Sequence, residues 1–136
     1  MKRTIILENY QNPRNRGLTH NPSYERINTN SKSCIDEIDL EMNIKNGIID
    51  DVKFDGEACA ICTSSTSIMT ELLIGKKIDE ANKIIDSFQN MIEEKGYDKN
   101  IIGEAIVYCD ISKQPNRKNC ATLSWKAAKE IINSKR

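Results

Sequence analysis

The sequence predicts an α+β fold, with an antiparallel hairpin in the first half of the chain and packed helices in the second. Three observations carry that reading. Ile38, Leu40, Met42 and Ile44 alternate with Glu37, Asp39, Glu41 and Asn43, the period of two of a half-buried strand. Asn46-Gly47 follows, a dipeptide suited to a tight hairpin turn. Further on, Ala81, Ile84, Ile85, Phe88, Met91 and Ile92 recur at three- and four-residue steps and mark one face of a helix.

The elements can be taken in order. Ile5 to Tyr10 reads as a short helix, broken by the turn chemistry of Asn12-Pro13-Arg14-Asn15-Arg16-Gly17. The stretch from Asn21 to Ser33 reads as polar loop. The alternating strand spans Asp36 to Ile44, and Ile48, Val52 and Phe54 lie in the strand that returns after the turn. After Gly56, Ala60 to Ile74 places Ile61, Ile68, Met69 and Leu72 at helical spacings and stops at Gly75. The helix around Phe88 is closed by Gly96. Ala105 to Ile111 is apolar enough for either strand or helix, and periodicity does not choose between them. A last helix runs from Cys120 to about Asn133, with Leu123, Ala127, Ala128, Ile131 and Ile132 on one face.

Composition narrows the function classes. A chain of 136 residues is most simply one domain, residues 1–136, able to bury a core without disulfides. Basic and acidic residues number 20 each, so no charge excess points to nucleic acid or a membrane surface. The apolar run Ile5-Ile6-Leu7 is too short for a signal peptide or a membrane span, and a cytoplasmic address is the expectation. Five cysteines without a secretory signal argue for reduced thiols, hence metal binding or catalysis rather than a disulfide framework.

Cys34, Cys59 and Cys120, with Asp36, make a candidate four-ligand metal site. Soft thiolates favour zinc, copper(I) or iron–sulfur clusters over hard cations. Cys34 and Asp36 are two apart at the leading edge of the strand, so an extended backbone points both to one face. Cys59 and Cys120 fall at predicted helix starts, where unpaired amides and the helix dipole stabilise a thiolate. An Asp oxygen among three sulfurs is a less usual zinc set and leaves a weaker, exchangeable position. The other candidates have plainer readings. Cys109 sits in an apolar run, as buried cysteines commonly do. Cys59 and Cys62 form a C-x-x-C, but the β-α-β context of a thioredoxin-like pair is missing, which leaves Cys62 a helical neighbour. His20 lies in polar loop. The hydroxyl-rich Thr63 to Ser67 has no base nearby in sequence, and Trp125 reads as core.

The stretches Asn12-Pro13-Arg14-Asn15-Arg16-Gly17, Val52-Lys53-Phe54-Asp55-Gly56-Glu57-Ala58-Cys59-Ala60-Ile61 and Cys120-Ala121-Thr122-Leu123-Ser124-Trp125-Lys126-Ala127 resemble the U-type iron–sulfur cluster assembly proteins, the IscU/SufU/NifU N-terminal type. The ending from Cys120 to Lys126 and the long segment before it are closest to the SufU branch. The resemblance implies an α/β sandwich in which helices cover a three-stranded antiparallel sheet, with a metal site exposed at one end. It puts the ligands on Cys34, Asp36, Cys59 and Cys120, makes Cys34 the persulfide acceptor and gives Arg117 a supporting role. Zinc as the resident metal, a transient [2Fe-2S] cluster or iron, a cysteine desulfurase as sulfur donor and apo iron–sulfur proteins as recipients are further implications. At most the chain would be a zinc-dependent sulfurtransferase.

Departures from the family pattern matter too. Asn119 stands where scaffold-type members have a His, and the chaperone motif Leu-Pro-Pro-Val-Lys is replaced by Lys113-Gln114-Pro115-Asn116-Arg117, so no dedicated chaperone site is expected. Ile35 replaces a usual Gly beside the first ligand and removes backbone freedom there. The first helix is shorter than usual. The alternative reading is a structural zinc module with no sulfur relay, for which a closed four-ligand set is the motivation.

Overall fold

Alternating apolar residues build the centre of the sheet in the computed structural model of the chain, which describes residues 2–30 and 37–135. The order of elements is α1 (Lys2–Gln11), β1 (Glu25–Asn30), β2 (Glu37–Lys45), β3 (Ile48–Glu57), α2 (Ala60–Leu73), α3 (Ile78–Ile92) and α4 (Pro115–Ser134), with short 3-10 turns at Gly103–Tyr108 and Ile111–Lys113 before α4. The strands form an antiparallel sheet in the order β1-β2-β3, so the expected α+β sandwich of three strands and several helices is the fold observed.

Each element follows from its residues. In the β2–β3 hairpin, Leu40 faces Phe54 and Met42 faces Val52, and all four side chains are fully buried; burial of a side chain of this kind contributes about 1.5–3 kcal/mol. Asn46 and Gly47 turn the hairpin with φ of 55° and 76°, the two positive values that a type I′ turn requires. The β3 edge is covered by the chain after α1, where Gly17 N–H donates to Phe54 O at 2.7 Å and Phe54 N–H to Asn15 O at 3.2 Å. On the helical side, Trp125 of α4 stacks on Phe88 of α3 with ring centroids 3.9 Å apart, and Tyr108 meets Phe88 edge-on.

Several sequence expectations need correction. Of Asn21 to Ser33, read as loop, residues 25–30 form β1, while 31–33 lie outside the described residues. Ile27 is its only apolar residue, too weak a pattern to read. The strand is made by pairing instead: Thr29 Oγ1 both donates to Ile38 O (3.2 Å) and accepts from Ile38 N–H (3.1 Å). The last helix begins at Pro115, not Cys120, because proline at the first helical position needs no N–H and has its φ already set. Gly96 does not close α3. Glu94 takes the left-handed backbone at φ 59°, and Lys95 N–H donates to Asn90 O at 2.8 Å while Glu94 N–H donates to Met91 O at 3.2 Å, a Schellman closure. The undecided stretch from Ala105 to Ile111 forms neither strand nor α-helix but the 3-10 turns, with Ala105, Val107 and Tyr108 buried. Among the described residues no helix is long and apolar enough to cross a membrane.

Two substitutions test this packing. Gly56 has φ 131°, and a Cβ there would stand 2.2 Å from Glu37 O; Gly56→Ala is expected to cost roughly 2 kcal/mol or more, read as a lower urea midpoint. Asn82 is 8 % exposed with neither side-chain amide atom hydrogen-bonded. Asn82→Leu should therefore stabilise by about 1 kcal/mol, and an unchanged or lower midpoint would contradict that account.

Candidate functional site

The chain leaves β3 at Glu57, passes Ala58 and starts α2 behind Cys59. Cys59 is the N-cap, with φ −67° and ψ 168°, and its sulfur accepts the Cys62 N–H at 3.5 Å. A thiol thus occupies the position at which Ser or Asp commonly satisfies the first-turn amides, and the helix dipole favours its thiolate. Thr63 braces the turn from inside, its N–H donating to Cys59 O at 2.9 Å and its hydroxyl to Ala58 O at 3.3 Å. Outside, Asp55 Oδ1 accepts Gly56 N–H at 2.8 Å and Arg16 Nε at 3.2 Å, while Arg16 Nη2 donates to Gly56 O at 2.9 Å. The Gly56 amide first, and Arg16 second, hold the Asp55 carboxyl below its ordinary value.

Cys120 reaches the same end by another route. Lys135 Nζ meets Glu25 Oε1 at 2.7 Å, so the end of α4 lies at the start of β1, and α4 runs antiparallel to that strand with Leu123 against it. Cys120, a turn before Leu123, lies toward the closing end of β1. There Asn30 pairs with Glu37, and Glu37 with Glu57, two residues before Cys59. The thiol of Cys120 is buried and donates to Asn116 O at 3.7 Å. Because α4 begins at Pro115, Cys120 sits in the second turn, beyond the first-turn amides and the main reach of the dipole. Cys59 therefore lies at a helix start, as expected from the sequence, and Cys120 does not.

Helix α2 fixes both positions. Its hydroxyls, read as a tract without a base, are buried from Thr63 to Ser67 and all engaged. Ser65 donates to Ala121 O at 2.6 Å and accepts from Trp125 Nε1 at 2.8 Å, which ties the residue after Cys120 to the helix that Cys59 caps. Thr66 Oγ1 lies 2.8 Å from Ser124 Oγ and from Cys62 O. Ser67 donates to Asn9 Oδ1 at 2.7 Å and accepts Arg14 N–H at 2.8 Å. Ser64 bonds the hydroxyl of Tyr108. Burial pushes that hydroxyl well above the usual tyrosine range, with Cys62 and Cys59 nearby adding to the rise.

The remaining candidates separate. Cys34 and Asp36 lie outside the described residues. Among the described residues no three His, Cys, Asp or Glu side chains come together in a way that can hold a metal ion; Cys59 and Cys120 are the two expected ligands that can be placed. Arg117 is exposed in the first turn of α4, and Asn119 is half-buried beside a groove of about 510 Å³ between α3 and α4. Cys62 is fully buried. Cys109 is only half-buried, contrary to its reading as core, and accepts from Lys2 Nζ at 3.2 Å. His20 is exposed. Sequence reasoning missed the Asp55–Arg16 pair; both residues lie in stretches that carry the resemblance, but nothing in the sequence places them side by side.

The family described as the NifU-like N-terminal domain matches residues 1–133. The zinc-dependent sulfurtransferase SufU of Bacillus subtilis is 38% identical over 131 residues, covering 96% of this chain and 88% of that protein. The iron–sulfur cluster assembly scaffold protein IscU of Streptococcus pyogenes is 32% identical, covering 94% and 80%. A crystal structure of a putative iron–sulfur cluster assembly scaffold protein for the SUF system from Fervidobacterium islandicum superposes with a TM-score of 0.78 at 32% identity, covering 90% and 89% of the two chains. The NifU-like protein from Brucella abortus, 22% identical with a TM-score of 0.85 over 95% and 90%, shows the shared fold.

The Asp55 latch yields a pH prediction. A carboxyl held low in the folded chain adds stability that is present above its unfolded value, about 3.9, and is lost as pH falls through the lower folded value. Asp55→Asn should flatten the acid limb of the stability–pH curve, and identical acid limbs in the two proteins would contradict the latch.

Proposed function

The chain belongs to the NifU-like N-terminal domain family, and on that premise we propose that it is an iron–sulfur cluster assembly protein that accepts persulfide sulfur from a cysteine desulfurase. One observation carries the reading: the Cys59 cap and the Cys120 turn lie toward the sheet end where β2 is entered at Glu37, next in sequence to Asp36 and Cys34. The similarity to a zinc-dependent sulfurtransferase over nearly the whole chain supports it.

Cys34, Asp36, Cys59 and Cys120 are the proposed ligands. The placed pair fits a soft metal in chemistry, with a thiol capping α2 at Cys59 and a buried thiol at Cys120. Bound zinc would keep the thiols deprotonated and masked. The remaining steps belong to the chain. Cys34, as thiolate, attacks the outer sulfur of the donor persulfide, and the donor cysteine leaves as thiolate. Cys59, whose sulfur accepts the Cys62 N–H, is the placed thiol to which sulfur can pass. Asp36 is the lone oxygen ligand and the exchangeable one, and Arg117 supports the site with its charge. A nascent [2Fe-2S] cluster, or iron, would be cargo on the same thiols for delivery to apo iron–sulfur proteins.

The structural-zinc alternative has less support, because Trp125, Phe88 and the α2 hydroxyls hold the helices together through contacts between protein groups. Two measurements decide between them. With a SufS-type desulfurase and cysteine, the protein should raise sulfide release and acquire a persulfide by mass, and Cys34→Ala should reduce both to background; stimulation that survives Cys34→Ala would sink the relay. Chelation should leave most of the far-ultraviolet circular dichroism intact, whereas a purely structural metal predicts cooperative unfolding.

A further inference from the structure

The Cys59–Cys62 pair does not sit in a thioredoxin-like fold, since the three strands pair antiparallel, yet the two cysteines share the first turn of α2. Cys59 is the half-exposed N-cap and Cys62 the fully buried third helical residue behind it. The Cys62 N–H already points at the Cys59 sulfur, 3.5 Å away. Helical side chains lean toward the N-terminus, which directs that of Cys62 toward the Cys59 turn. Residues one turn apart have Cβ atoms about 5–6 Å apart, and a disulfide requires roughly 3.5–4.5 Å. Closure therefore asks for an approach of the two side chains across a single turn, starting from an N-cap whose backbone is extended.

We propose that Cys62 is a resolving thiol: once Cys59 carries a sulfane sulfur, Cys62 attacks the Cys59 sulfur, closes a Cys59–Cys62 disulfide and releases hydrosulfide. The activity rests on the sulfur-accepting role proposed above. A bond forms between the two Sγ atoms as the bond from Cys59 Sγ to the outer sulfur breaks. The outer sulfur leaves with the electron pair and takes up the proton that Cys62 gives up. It is reduced by two electrons while each cysteine sulfur is oxidised by one, so no outside oxidant enters. A dithiol reductant then returns the pair to thiols by exchange. The division of exposure suits these roles, since Cys59 is half-exposed while burial shields Cys62 from dissolved electrophiles.

The test loads the full-length protein with inorganic polysulfide, removes the excess by rapid gel filtration, alkylates and maps the peptides. Wild type should show the Cys59–Cys62 disulfide, and Cys62→Ser should keep a persulfide on Cys59 and release hydrosulfide at least roughly tenfold more slowly. Cys62→Ala, which keeps the buried position apolar, is the second variant. A wild-type Cys59 persulfide as long-lived as that of the variants, or no sulfur on Cys59 in any of the proteins, overturns the proposal. Polysulfide bypasses the desulfurase, so closure without any desulfurase response counts against the partner assignment alone. Loading by the desulfurase without closure counts against Cys62 alone.

Discussion

A buried helix that carries hydroxyls along one whole stretch has to satisfy every one of them inside the protein, and α2 does so by bonding to its neighbours. A buried hydroxyl without a partner costs on the order of 1–3 kcal/mol, so the tract from Thr63 to Ser67 restricts where α1, α4 and the Tyr108 turn can sit. Ser65 fixes Ala121 and Trp125, Thr66 fixes Ser124, Ser67 fixes Asn9 and Arg14, and Ser64 fixes Tyr108. Apolar packing at Phe88 and Trp125 supplies much of the driving force, but it is non-directional. The hydroxyls supply the register.

Register is what a thiol site needs. Cys59 and Cys120 are far apart in sequence and come from a loop exit and a helix interior, so neither local structure knows about the other. The bond from Ser65 to Ala121 O joins the helix that Cys59 caps to the residue next to Cys120. Gly56 completes the arrangement from the sheet side, since only a residue without Cβ lets β3 pass Glu37 O as closely as it does. The Arg16–Asp55 latch holds the same turn from outside.

The two placed thiols differ in electrostatic setting. The Cys59 sulfur accepts the first-turn N–H of Cys62, whereas Cys120 donates to a carbonyl in a helix already under way. The first caps a helix and the second lies within one, so the two thiols at this end of the sandwich are not equivalent. Cys62 adds a third thiol that is buried and one turn from the first.

What the sequence determined by itself was whatever depends on neighbours along the chain. The alternation of Ile38 to Ile44, the Asn46-Gly47 turn, the helix face through Phe88 and the helix start at Cys59 are all written in short windows, and the stretches Asn12 to Gly17, Val52 to Ile61 and Cys120 to Ala127 indicated the family. Tertiary structure decided the rest. β1 exists because β2 offers it a partner, not because Glu25 to Asn30 alternate. α4 starts at Pro115 because proline suits a first turn, and that moved Cys120 out of the dipole's main reach. The hydroxyls of α2 read only as a tract with no base nearby because Ser64, Ser65, Thr66 and Ser67 find partners in elements remote in sequence, and hydrogen bonds across such separations leave no local pattern to read.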